Sequence, residues 1–267
     1  MNKVARGAKV FARQLGNVEV GGFSYSLAET ENSLEKRVVP ALRDDSGMAD
    51  VEQLLGTLTT TQFATDQLRA ALTETREVPD WQVGEALAEV YLEDHHECTF
   101  PWPMSRDARN PRGSLPGTDS VGFQKHGTSY RMALGETKTS TDSKSPPGVW
   151  SGRSGLKKQL EGLRDSTEIK SHIVVRYLGC RASGAPWQEI YKAAAGRYLA
   201  NPTDVALFGV LVRDTVPNEN DALARAKTLA DGCPAASDIG IIVLYLPDKH
   251  IPKLPKQVAD IERRRKK

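Results

Sequence analysis

Three side chains, Asp119, Glu136 and Lys138, have a spacing and chemistry that suit catalysis, with sixteen residues between the two acids and one between Glu136 and the lysine. Carboxylate oxygens are hard ligands that suit Mg²⁺, and a cation held by them can polarise a phosphate and help to generate hydroxide. A lysine beside them can orient the attacking water and stabilise developing charge. Placed on one face of a sheet, these residues would suit a metal site, with Asp119 and Glu136 as candidate ligands and all three as candidate catalytic residues.

The segment Leu115–Ser140, which contains these residues, reads as two strands around a turn that includes Gly127. Side chains alternate between the two faces of a strand, so Glu136 and Lys138 point the same way. A two-residue turn keeps Asp119 on that face, whereas an odd-length loop would move it to the other face. The sequence leaves this choice open, and the metal-site hypothesis depends on it.

The elements on either side of this hairpin are predicted to be helices. Residues Trp81–Asp94 have an apolar stripe at helical spacing, and Glu85 and Glu89 share another face. A second helix is expected near Gly155–Arg164. The connection that precedes the hairpin is rich in proline, glycine and arginine, which is typical of a loop.

The rest of the chain alternates between apolar strands and helices, and this order predicts an α/β fold with a central mixed β-sheet flanked by helices. Strands are expected at His172–Leu178, Val205–Val212 and Ile239–Leu246, and helices at Trp187–Ala200 and Asn220–Ala230.

Three regions are predicted along the chain: an N-terminal extension or subdomain at 1–75, a catalytic domain at 76–255 and a basic tail at 256–267. The first is hard to read, although a helical pattern begins at Met48. Basic residues that could meet phosphates lie in the tail, at the start of the Gly155–Arg164 helix and in the loop before Asp119, where they are Arg106, Arg109 and Arg112.

Composition indicates a globular cytoplasmic protein and excludes several other classes. The 267 residues carry a net charge of only +2, and no apolar run is long enough to cross a bilayer. The three cysteines are far apart and lack the spacing of a zinc site, so we interpret them as free thiols in a reducing compartment.

The order helix, loop, strand, strand, helix, together with Asp119, Glu136 and Lys138, resembles the PD-(D/E)xK nuclease superfamily. The resemblance implies a restriction-endonuclease-like core that hydrolyses DNA with Mg²⁺ or Mn²⁺. A glutamate from the preceding helix often joins the metal ligands in that superfamily. Glu85 matches that position best, and Glu89 is the second choice.

The same resemblance implies two further site candidates, the carbonyl of Thr137 and the side chain of Gln159 on the following helix. The RecB-like branch has a tyrosine after such a glutamine, whereas this chain has Leu163. The literal Pro-Asp pair is also absent, since Pro116 stands three residues before Asp119.

Within the superfamily, the segments GEALAE, PGTDSVGF and LGETKTS resemble the HamA component of Hachiman antiphage defence systems. That resemblance covers roughly Val83–Leu246. It implies a DNA-degrading effector that works with a helicase subunit of the HamB type and has no membrane partner.

Three other interpretations remain open. The chain could be a restriction or repair endonuclease that acts alone, or a binding module without catalysis on the same fold. Lys138 could also form an ordinary salt bridge with a carboxylate. Acid-x-lysine triplets occur elsewhere, at Glu168–Lys170 and Asp142–Lys144, but neither follows an aspartate on a paired upstream strand.

Overall fold

The computed structural model describes residues 3–72, 77–103, 106, 118–165 and 167–265, with backbone alone for 167–171. Arg109, Arg112 and Pro116, which the sequence places in the loop before Asp119, lie outside the described residues. The side chains of the Glu168–Lys170 triplet also lie outside them.

A seven-stranded mixed sheet with helices on both faces forms the centre of the fold, so the predicted α/β class is confirmed. The order of strands across the sheet is β1-β2-β7-β6-β5-β4-β3. The pairs β2–β7, β7–β6 and β6–β5 are parallel. The pairs β1–β2, β5–β4 and β4–β3 are antiparallel. The strands are β1 Ala8–Leu15, β2 Val18–Ser24, β3 Cys98–Thr99, β4 Ser120–His126, β5 Ser129–Ser140, β6 Val205–Arg213 and β7 Asp238–Tyr245.

The helices before and after the β4–β5 hairpin pack on opposite faces of the sheet. We call these the α5 face and the α6 face. The helices are α1 Leu27–Ser33, a π-helix Leu34–Val38, α2 Val39–Leu42, α3 Asp45–Gly56, α4 Gln62–Leu72, α5 Asp80–His95, α6 Leu156–Asp165, α7 Thr167–Ala182, α8 Gln188–Ala200, α9 Leu223–Ala230 and α10 Leu254–Arg265.

Each face of the sheet has its own apolar core. Leu87 of α5 and Val258 of α10 pack on the α5 face, and Leu160 of α6 and Tyr198 of α8 pack on the α6 face. Strands that are covered on both faces read as continuous apolar runs, which is why β6 and β7 were recognisable in the sequence.

One predicted strand is wrong: His172–Leu178 lies inside α7. Val174, Tyr177 and Leu178 pack against the core of the α6 face, and their spacing of three and four residues is helical. Local β-branched composition favoured a strand, but burial of this helical stripe decides the conformation.

The first 75 residues contribute to the same sheet. Strand β2 pairs in parallel with β7, and β1 pairs with β2 at the end of the sheet. The polar terminal segment 256–265 continues α10, whose Val258 and Ile261 are buried. None of the helices in the described ranges has the length and apolar character needed to cross a membrane.

Helix α5 approaches β5 most closely at Gly84. A Cβ atom on this residue would overlap the Oγ1 atom of Thr139. Only glycine therefore allows the helix to lie this near the strand that carries Glu136 and Lys138.

We predict that Gly84→Ala lowers the free energy of unfolding by about 1–3 kcal/mol because it overpacks this contact. The matched control is Gly196→Ala in α8, where a Cβ would meet nothing within 4 Å. That substitution should raise stability by about 0.5–1 kcal/mol. Urea unfolding measures both values. In a Thr139→Ala background the cost at Gly84 should shrink, and an unchanged cost would contradict the proposed overlap.

Candidate active site

The register of the β4–β5 hairpin brings the two predicted carboxylates together. Residues 127–128 form the turn between the paired residues His126 and Ser129, and Gly127 has the positive φ of +62° that favours glycine. Ser120 pairs with Gly135 at the other end of the ladder. The next step of this register places Asp119 opposite Glu136, on one face of the hairpin.

The side chain of Asp119 continues the ladder where strand β4 begins. Its Oδ2 atom accepts a 2.7 Å hydrogen bond from the backbone N–H of Thr137. The Glu136 side chain also acts to lower the pKa of Asp119, against the effect of burial. Thr137 thus holds Asp119 through its amide, and its own backbone pairs with Val210 of β6 on the other side.

Glu136 and Lys138 point towards the α6 face. Glu136 pairs with Gly209, which contacts Leu160 of α6, and Leu134 belongs to the core of the same face. The Glu136 side chain is buried, with 4% of its surface exposed. Isolated carboxylates are costly to bury, so this position needs protons, cations or hydrogen bonds around it.

Glu85 reaches the same cluster from helix α5. Burial and the nearby charge of Asp119 raise its pKa from 4.5 to about 8, while Lys138 acts in the opposite direction. The pKa of Asp119 is also raised, mainly by burial, against the effect of the Thr137 hydrogen bond and of Lys138. The four predicted side chains therefore interact electrostatically at the edge of β5 that β4 leaves open.

Glu89 lies one turn further along α5, among other acids. Burial raises its pKa to about 8, followed by the charges of Glu93, Glu85 and Asp44. Glu93 is itself held by Arg37 and by the backbone N–H of Phe100. Asp119 and Lys138 are not among the groups that shift Glu89, so the structure brings Glu85 to the cluster more directly.

Gln159 lies on the sheet-facing side of α6, between Leu156 and Leu163. Its Oε1 atom is buried and has no hydrogen-bond partner within the described residues. Buried amide oxygens normally have a partner, so this atom is suited to accept a hydrogen bond from a ligand or a water.

The described part of the chain contains no preformed metal site made of three or more His, Cys, Asp or Glu side chains. The donor chemistry nevertheless fits a hard cation. The hairpin register continues to place Asp119 opposite Glu136, where two carboxylates would repel each other. A divalent cation would neutralise this pair, and Glu85 offers a third carboxyl group, whose pKa is raised by burial.

A buried arginine, which the sequence did not single out, fixes the loop after β5. Arg213 has 1% of its surface exposed and lies beside Ser140 in the sheet. It donates a 2.7 Å hydrogen bond to the carbonyl of Asp142 and forms a 3.2 Å ion pair with Asp221. The sequence indicates this residue only by its position, since Arg213 is a charged residue that directly follows the apolar run of β6.

Comparison with known proteins assigns no family to the chain. No protein-family model matches it, and no curated protein matches it significantly. The resemblance to PD-(D/E)xK nucleases and to HamA thus depends on motif order and spacing, and the function has to be inferred from the site.

We predict that Glu85 makes metal-free stability fall as pH rises. Its pKa is about 8 in the folded protein against 4.5 for an ordinary glutamate, so the cost of ionising it is absent below 4.5 and complete only above 8. In a chelating buffer, the free energy of unfolding of the wild type should drop between pH 5 and pH 9 more steeply than that of Glu85→Gln. The expected difference is on the order of 1–3 kcal/mol.

Urea unfolding at several pH values measures this difference, which includes the part of the rise in the pKa of Glu89 that comes from the charge of Glu85. Parallel stability curves for the two proteins would contradict the environment assigned to Glu85.

Proposed function

We propose that this protein is a metal-dependent deoxyribonuclease that hydrolyses phosphodiester bonds in DNA. The observation that carries the proposal is the hairpin register, which sets Asp119 opposite Glu136 on the face of Lys138. The electrostatic effect of Asp119 and Lys138 on Glu85 supports the same assignment.

The arrangement of elements supports a restriction-endonuclease-like, PD-(D/E)xK core. Helix α5 precedes the β4–β5 hairpin, α6 follows it on the other face, and β5 then pairs in parallel with β6. This is the order that the resemblance implies, with the candidate residues at its centre.

Glu85, Asp119 and Glu136 would hold Mg²⁺ or Mn²⁺, with the Thr137 carbonyl as a further candidate ligand. When bound, the cation supplies a Lewis acid and a water of lowered pKa. The ammonium group of Lys138 stabilises negative charge on the phosphate and orients water from the same face. Gln159 has a buried carbonyl oxygen that would be free to accept a hydrogen bond from a bound water.

Backbone phosphates are the expected contact of the basic side chains near the site. Lys157 and Lys158 at the start of α6 both pair with Glu161, at 3.3 Å and 3.9 Å, and Lys158 is the more exposed of the two. Contacts of this kind give affinity for DNA with little sequence discrimination.

The biological role we propose is that of a cytoplasmic effector in antiphage defence, which works with a HamB-like helicase. A stand-alone restriction or repair endonuclease is the second candidate for the same site. A non-catalytic DNA-binding module fits less well, because partly buried carboxyl groups beside Lys138 would repel phosphates and have no use in such a module.

We predict that the wild type degrades DNA in Mg²⁺, and that Glu136→Gln and Lys138→Met each lower the rate by roughly 10²-fold or more. The matched controls are Glu189→Gln and Lys192→Met, which alter an exposed ion pair on α8. Cleavage of labelled single- and double-stranded DNA, with and without the product of any neighbouring helicase gene, provides the measurement. Equal rates for the wild type and both site variants would overturn the proposal.

We further predict that Mg²⁺ stabilises the wild type but not Asp119→Asn. At about a hundredfold excess over its dissociation constant, a ligand that binds only the folded state adds about 2.7 kcal/mol. Urea unfolding in Mg²⁺ or chelator measures this without a DNA substrate, and Asp248→Asn at an exposed position is the control. Equal stabilisation of wild type and Asp119→Asn would remove Asp119 from the ligand set.

A further inference from the structure

Helices α3 and α4 form a hairpin with almost no buried surface of its own. Within Asp45–Leu72, Gly47 alone is buried. The hairpin joins the rest of the protein at its base, where Asp44 pairs with Arg106 and Asp45 pairs with Arg265. Helices of 12 and 11 residues are marginal in water unless an apolar face is covered.

This hairpin exposes one continuous apolar stripe. Met48, Val51 and Leu55 follow helical spacing along α3 and are partly exposed, and Leu54 lies beside them. At the tip, Leu54, Leu58 and Phe63 are 72%, 70% and 74% exposed. Contiguous exposed apolar surface of this kind marks a binding site more often than single exposed leucines do.

Acidic residues line both edges of the stripe. Asp50 lies one helical turn before Leu54, and Glu52 lies one turn after Met48, so the two carboxylates flank the stripe on opposite sides. Residues 45–72 carry four acidic side chains and Arg69 as their one cation, a net charge of −3, in a chain whose total is +2. The hairpin is therefore acidic while the remainder of the chain is net positive.

We propose that the α3–α4 hairpin is a docking surface for a basic amphipathic helix of another protein. The apolar stripe would cover the apolar face of that helix, and the flanking carboxylates would meet its lysine or arginine side chains. DNA is disfavoured because its phosphates would face acidic groups. A second copy of the same hairpin would set two acidic rims against each other. The inference does not depend on the proposed nuclease activity.

The direct test is fluorescence anisotropy with a synthetic amphipathic helix of leucine and lysine, compared with its leucine and glutamate counterpart. The wild type should bind the lysine peptide at least tenfold more tightly than the glutamate peptide. Leu54→Ser/Leu58→Ser/Phe63→Ser removes the three most exposed residues of the apolar stripe and keeps the acids. Asp50→Asn/Glu52→Gln/Asp66→Asn removes three of the acidic charges and keeps the apolar stripe. Each should weaken binding of the lysine peptide by roughly tenfold or more.

Equal binding of the two peptides, or unchanged affinity in the apolar triple variant, would overturn the proposal. Urea unfolding verifies that the variants fold, and single Leu58→Ser, in the turn after α3, replaces the triple variant should that variant unfold. Sedimentation should give a monomer for the wild type, and a dimer abolished by Leu58→Ser would assign the surface to a second copy instead. Duplex DNA should bind wild type and apolar variant equally, and a selective loss would assign it to nucleic acid.

Discussion

The hydrogen bond from the Thr137 amide to the Asp119 carboxylate is the contact on which the candidate site depends. Strand β4 begins at Ser120, so a side chain takes over the pairing of β5 at this step. The same contact holds Asp119 opposite Glu136, although two ionised carboxylates at this distance would repel each other. Because side chains alternate with a period of two, a register shift of one residue would turn Asp119 to the other face and separate the pair.

The rest of the fold stabilises this costly cluster from both sides of the sheet. On the α5 face, Gly84 lets α5 lie against Thr139, which brings Glu85 to the open edge of β5. Beyond the end of β5, Arg213 holds the carbonyls of the loop that leads to α6. Buried carboxyl groups lower the stability of a folded protein. Such groups are therefore found most often at functional sites, where their chemistry is used.

The sequence predicted the hairpin, α5, α6, β6 and β7 because each has a clear period or a continuous apolar run. It did not predict β1, whose residues are largely exposed, or α7, whose β-branched residues imitate a strand. Glu85 and Glu89 could be ranked only by analogy, since both lie on one helix face. Their different electrostatic neighbours depend on where β4 begins, which no local pattern in the sequence determines.

Asp44 connects the acidic hairpin to the candidate site. Its side chain caps α3 by accepting from the Gly47 amide, it pairs with Arg106, and its charge contributes to the raised pKa of Glu89. The charge of Glu85 contributes to the same rise in the pKa of Glu89 from the other side. A displacement of α3 therefore changes the electrostatic field along α5.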